Sequence, residues 1–138
     1  VAVVNDKLAV LSDSSLTVFN PTSAKKTYSF EHGYTNPVML SSGNYICTYD
    51  RGSTRLRLDT TSKQLYEKTV DRNIICASLA SNGTVAYASF SDDADCELTV
   101  ITKTERLSRL RVDILQESLL IRREQSARMS PFHQPTQL

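Results

Sequence analysis

Tryptophan is absent from this sequence, histidine occurs twice, cysteine three times and glycine four times in 138 residues. Each scarcity removes a class of chemistry. Glycines at 33, 43, 52 and 83 cannot build the G-x-G-x-x-G cradle that lets a backbone approach a pyrophosphate. Cys47, Cys76 and Cys96 are an odd number, with no C-x-x-C pair. That argues against a disulfide framework and against a zinc site, and for small buried side chains in strands. A single disulfide with one thiol left over is the alternative. Two histidines, His32 and His133, leave few options for metal ligation or base catalysis, and no G-x-S-x-G context accompanies the serines. Apolar runs such as Val1 to Val4 are far shorter than the about 20 residues of a spanning helix. A net charge of +1 creates no field that would draw in nucleic acid or an anionic membrane. The opening VAVV has no basic segment, no cleavage site and no initiator methionine, so the start is expected to lie inside a longer parent chain.

What the sequence does have is periodicity. "NDKLAVLSD" (5–13), "SGNYICTYD" (42–50) and "NGTVAYASF" (82–90) share one form: a turn pair, then an apolar strand. The turn pairs Asn5-Asp6, Ser42-Gly43 and Asn82-Gly83 recur after 37 and then 40 residues. A second echo follows each, in "SLTV" (15–18), "RLRL" (55–58) and "ELTV" (97–100). There Leu16/Val18, Leu56/Leu58 and Leu98/Val100 alternate with polar residues, the period-2 pattern of a half-buried strand. "TSAKKTY" (22–28) and "TTSKQLY" (60–66) are a third echo. Inner strands are expected before each turn, at Val1 to Val4, Pro37 to Leu40 and Ile74 to Leu79. The fold class is therefore all-β. Four antiparallel strands in about 40 residues is the size of a β-propeller blade. About three blades are expected, near 1–32, 33–72 and 73–102. Three cannot close a ring, so 1–102 reads as a partial β-propeller; a small antiparallel sandwich is the rival.

After Lys103 the texture changes. Six of the ten arginines lie there, glycine does not, and nothing near 105–110 matches "KKTY" or "KQLY". Leu107, Leu110, Ile114 and Ile121 fall at helical spacings. A helix over about 104–125 is expected, covering the last blade's edge, followed by a disordered, Pro-rich end. A segment foreign to the family and an arginine-rich arm are the other readings of 103–138.

Candidate chemistry concentrates between the first two blades. In "EHGYTNP" (31–37), His32, Tyr34 and Asn36 are candidates for ligand contact; for His32 the rival is a structural hydrogen-bonding role at the junction. In "YDRGST" (49–54), Asp50 and Gly52 read as turn residues, one bonding the turn's own backbone amides and the other permitting positive φ. Arg51 is not required by the turn. It is the fourth candidate for binding, with a lock on Asp50 or on a neighbouring blade as alternatives. Asn82-Gly83-Thr84 fits a glycosylation sequon, but Asn82 and Gly83 are wanted as hairpin turn residues. Asp92, Asp93 and Asp95 lack the D-x-D-x-D-G calcium spacing and read as a solvated loop. No catalytic residue, metal or cofactor is expected.

"YSFEHGYTNPVM" (28–39), "GNYICTYDRGSTRLRL" (43–58), "NIICASLASNGTVAYAS" (73–89) and "ELTV" (97–100) together resemble the bacterial domain of unknown function 5711, over about residues 7–101. The resemblance implies a WD40-like or quinoprotein-like propeller. It also implies a longer parent, anchored at its N-terminus and held outside the cytoplasmic membrane of Gram-positive bacteria. The sequence after 102 departs from that family's pattern. An extracytoplasmic module for binding, sensing or scaffolding is the functional expectation, with a protein or cell-envelope component as partner and no nucleic acid. A hydrolase or lyase completed by further blades, and a truncated gene product, are the alternatives.

Overall fold

The computed structural model describes residues 1–115 and 118–125. They form strands and turns, with no helix among the described residues. β1 (Ala2–Val4), β2 (Lys7–Leu11), β3 (Ser15–Phe19) and β4 (Lys26–Glu31) make sheet 1. β5 (Pro37–Ser42), β6 (Tyr45–Asp50), β7 (Arg55–Asp59) and β8 (Gln64–Thr69) make sheet 2. Sheet 3 holds β9 (Ile74–Leu79), β10 (Val85–Ser89), β11 (Cys96–Ile101), β12 (Leu107–Leu115) and β13 (Ser118–Gln125). Each strand pairs antiparallel with its sequence neighbour inside its sheet. The sheets meet along their first strands: β5 touches β1, β2 and β9, and β6 touches β9. These are blade-like sheets arranged as part of a β-propeller, with first strands innermost.

Local chemistry explains the hairpins. Val4 pairs with Lys7 across Asn5 and Asp6, which take φ of 48° and 60°. Two positive-φ residues make the turn whose twist matches the strands, and Asn and Asp tolerate that region best after glycine. In sheet 2, Ser42 still pairs with Tyr45, so the turn is Gly43-Asn44, one residue later than Ser42-Gly43. Gly43 takes the positive φ of 58°.

Two cores fill the gaps between sheets. Val4, Ala9, Leu16 and Val18 of sheet 1 pack with Ile46 of sheet 2. Cys47, Tyr49, Leu56 and Leu58, on the other face of sheet 2, pack with Ile74, Val85, Tyr87 and Ile101 of sheet 3. Leu16, Leu56 and Leu58 are 0% exposed, each contributing about 2 kcal/mol by leaving water. Sheet 2 is covered on both sides, so Leu56, Arg57, Leu58 and Asp59 are all buried in succession. A buried charge must be paired. Arg57 donates from Nε and Nη2 to the two Asp59 carboxylate oxygens at 2.8 Å each, and Nη2 also donates to Gln64. Sheet 1 completes the arrangement. The Phe30 ring lies 3.5 Å from the Arg57 guanidinium, and the Tyr28 hydroxyl donates to Asp59 Oδ1 at 2.8 Å. Burial, with Asp59 beside it, pushes the Tyr28 phenol up to about 12.

The helix expected over about 104–125 is not there; β12 and β13 occupy it. Leu107, Leu110 and Ile114 have helical spacing, but Ser108, Leu110 and Val112 also alternate with Leu107, Arg109 and Arg111. The open edge of β11 decides between the two patterns. A helix would leave that row of N–H and C=O groups unpaired, whereas β12 pairs with β11 from Leu107 to Val112. The alternation then puts Leu110 beside Leu98 and sets Arg109 and Arg111 on the other face, 3.9 Å and 3.8 Å from the buried Glu97 carboxylate. Sheet 3 therefore continues past residue 102. Residues 116, 117 and 126–138, including the end expected to be disordered, lie outside the described residues.

Candidate functional site

The β2–β3 and β6–β7 turns and the β4–β5 connection share one end of the sheets. Asp50, the last residue of β6, is 5% exposed and ties this end together. Its Oδ1 accepts from the Asn36 amide at 2.8 Å and its Oδ2 from the Thr35 amide at 3.2 Å. In return, the Arg51 amide donates to the Asn36 carbonyl. Gly52, at φ 81°, donates its amide to the Ile74 carbonyl, and the Ile74 amide donates to the Ser53 carbonyl. The Asp50-Arg51-Gly52 corner is thus pinned to the β4–β5 connection on one side and to the start of sheet 3 on the other.

His32 and Tyr34 are turned inward. His32 is 3% exposed; its Nε2 donates to the Ser12 carbonyl, and its Nδ1 accepts from the Tyr34 amide, both at 2.9 Å. A carbonyl only accepts and an amide N–H only donates, so the ring holds its proton on Nε2. The ring bonds the Ser12 backbone and not its hydroxyl, so this is not a nucleophile–base pair. Tyr34 is 4% exposed and lies under the Arg55 guanidinium, 5.2 Å from the ring centre. Its hydroxyl is buried with no hydrogen-bond partner among the described residues, and burial, with Glu67 nearby, pushes the phenol up to about 12.

Asn36 and Arg51 face outward. They line an open cleft of about 660 Å³ between the sheet 1 corner and the β4–β5 connection. Leu11, Pro37 and Val38 form its apolar wall; Ser12, Asp13, Asn36 and Arg51 form its polar rim. The Ser12 hydroxyl is engaged by Ser15. The Arg51 side chain is exposed and makes no hydrogen bond or ion pair with the described residues. Its five N–H donors match a carboxylate or a phosphate. The structure thus divides the four candidates. Asn36 and Arg51 come together at a surface, while His32 and Tyr34 build the interior beneath it. Asp13 was missed in the sequence. Its signal was its place in the first of the three equivalent corners, next to the connection that His32 anchors.

The remaining candidates are accounted for locally. Asn82 Oδ1 accepts from the Thr84 amide at 3.0 Å, and Gly83 takes φ 87°, as a turn requires. Asp92 pairs with Arg72 at 3.0 Å and Asp93 with Arg111 at 3.4 Å. Among the described residues, no group of three or more His, Cys, Asp or Glu is placed to hold a metal ion. Cys47, Cys76 and Cys96 are free thiols in strands, but only Cys47 is buried as expected; Cys76 is exposed and Cys96 half-buried, and burial pushes Cys47 up to about 12. No helix among the described residues is long and apolar enough to cross a membrane.

Comparison with curated proteins and with solved structures returns no match. A family model does match, and it extends beyond the stretch expected from the sequence, through most of β12. With residues 1–114 covered, the chain belongs to the family of unknown function DUF5711.

Proposed function

We propose that this chain is a non-enzymatic binding module and that its ligand surface is the cleft rimmed by Asp13, Asn36 and Arg51. One observation carries the reading: an exposed Arg51 guanidinium, unpaired among the described residues, stands on a corner whose backbone is held from two sides. Fixing the corner in advance lowers the ordering cost of binding. The apolar wall can bury part of a ligand while the guanidinium meets its anionic group. The sequence repeat and the WD40-like resemblance support a scaffold that binds through its corner loops. The family resemblance also supports a location outside the cytoplasmic membrane. The ligand proposed is a carboxylate- or phosphate-bearing cell-envelope polymer.

The test is a titration of purified, solubilised cell-envelope polymer into the chain, followed by calorimetry at two salt concentrations. Arg51→Ala should weaken binding at least about tenfold, the loss expected of one charge-assisted contact, and flatten the salt dependence. Arg51→Lys should restore part of the affinity. Tyr34→Phe, which alters no cleft atom, should bind normally. Unchanged binding by both Arg51→Ala and Asn36→Ala would sink the assignment. Release of shortened polymer would replace it with the hydrolase or lyase reading.

A further inference from the structure

The rim of the cleft carries two opposite charges that do not neutralise each other. Asp13, in the β2–β3 turn, and Arg51, in the β6–β7 turn, are both exposed and both line the cleft. Among the described residues neither side chain makes an ion pair or a hydrogen bond, with the other or with a third group. Elsewhere in the fold opposite charges do pair, as Arg55 with Glu67 at 2.7 Å and Arg72 with Asp92 at 3.0 Å. The cleft lining comes wholly from sheets 1 and 2 and the connection between them. It does not depend on what adjoins the outer faces of sheets 1 and 3.

Backbone hydrogen bonds set the two corners. The residues on either side of Asp13 are both held by His32. Its Nε2 donates to the Ser12 carbonyl at 2.9 Å, and its backbone amide donates to the Ser14 carbonyl at 3.0 Å. The Ser12 amide closes the same turn by donating to the Ser15 carbonyl at 2.8 Å. Arg51 is held further along the same connection, through its own amide on the Asn36 carbonyl. The segment 32–36 therefore fixes both corners, and with them two opposite charges, before any ligand arrives.

A ligand that carries only anions is attracted by Arg51 and repelled by Asp13. A ligand that carries a cation beside its anion is attracted by both. We infer that the cleft selects a zwitterionic polymer: Arg51 takes its carboxylate or phosphate, and Asp13 takes a primary ammonium on the same polymer. This rests on the cleft being the ligand surface and adds the ligand's second charge. Asp13 is then the specificity residue. It favours polymer with free amines and disfavours polymer whose amines are missing or acylated.

The test uses purified, solubilised cell-envelope polymer with free amines, and the same polymer N-acetylated, which keeps the anions and removes the cations. Calorimetry on the whole chain compares the two. The unaltered chain should bind the free-amine form at least about threefold more tightly, as one exposed ion pair allows. Asp13→Asn should bind the free-amine form more weakly than the unaltered chain does, and the acetylated form more tightly. A general loss of folding cannot produce that reversal of sign. Thermal unfolding checks the turn, and Asp13→Ala replaces Asp13→Asn if asparagine disturbs it. If Arg51→Ala weakens both forms while Asp13→Asn changes neither, the cleft stands and the zwitterionic ligand is overturned. Tighter binding of both forms by Asp13→Asn also overturns it, because Asp13 then only repels. No binding of either form, or binding that survives both Arg51→Ala and Asn36→Ala, overturns the cleft and this inference together.

Discussion

Asp50 carries the corner by accepting two backbone amides that belong to another segment. Removing its side chain leaves the Thr35 and Asn36 amides without these acceptors. Asp50→Ala should lower the unfolding free energy by about 1–3 kcal/mol in urea titration. Asp50→Asn keeps one acceptor oxygen and should lose less; equal losses for the two variants would contradict this role. The positive φ of Gly52 was legible in the sequence because it depends on residues close in the chain; Asp50 was expected to bond its own turn's amides and binds the β4–β5 connection instead. The roles of His32 and Tyr34 were not legible. Their polarity and position fit a surface loop as well as an interior one. Burial came from the fold, which closes the corner of sheet 1 over the histidine through its bond to the Ser12 carbonyl. Arg51 could be recognised as surplus to the turn, but its place above a cleft depended on Leu11 and Asp13, about 40 residues away.

Among the elements, the hairpin turns are where sequence and packing meet. A Cβ on Gly43, at φ 58°, would lie 2.5 Å from the Ser81 carbonyl oxygen of the next sheet's turn. A Cβ on Gly52, at φ 81°, would meet nothing within 4 Å. Both alanine variants carry the left-handed strain of about 1–2 kcal/mol. Gly43→Ala must also move backbone and should cost about 1–3 kcal/mol more, as overpacking does. Thermal unfolding of the two variants side by side measures the difference, and a Gly52→Ala loss as large as that of Gly43→Ala would refute the close approach. The glycine was readable in the sequence; its neighbour across the sheet gap was not. β12 makes the same point. "LSRLRVDIL" supports both periods, and the unpaired edge of β11 selected the strand.

For the whole molecule, the groups buried between the sheets predict a response to alkali. Tyr28 and Tyr34 are raised from 10.0 to about 12, and Cys47 from 9.0 to about 12, each chiefly by burial. The folded state therefore holds these protons more tightly than the unfolded chain. The corresponding stability is fully present below pH 9 and is lost as pH rises towards 12. The melting temperature should fall progressively over that window, and Tyr34→Phe should flatten part of the fall. A melting temperature constant from pH 9 to 12 would contradict the burial of these three groups.

By itself, the sequence determined the strands and most of their turns. Alternation at 15–18, 55–58 and 97–100, and Asn, Asp and Gly at the corners, are local properties set by backbone sterics and by side-chain alternation across a sheet. It also determined the all-β class, because its apolar residues can leave water only when sheets stack face to face. Tertiary structure decided the rest. It made sheet 2 two-sided, so that Arg57 and Asp59 had to pair; it turned His32 and Tyr34 inward and left Asn36 and Arg51 outward; and it drew 107–115 onto the edge of β11. Each of these outcomes depends on residues meeting across a gap between strands or sheets, and no local pattern encodes which neighbour will fill it.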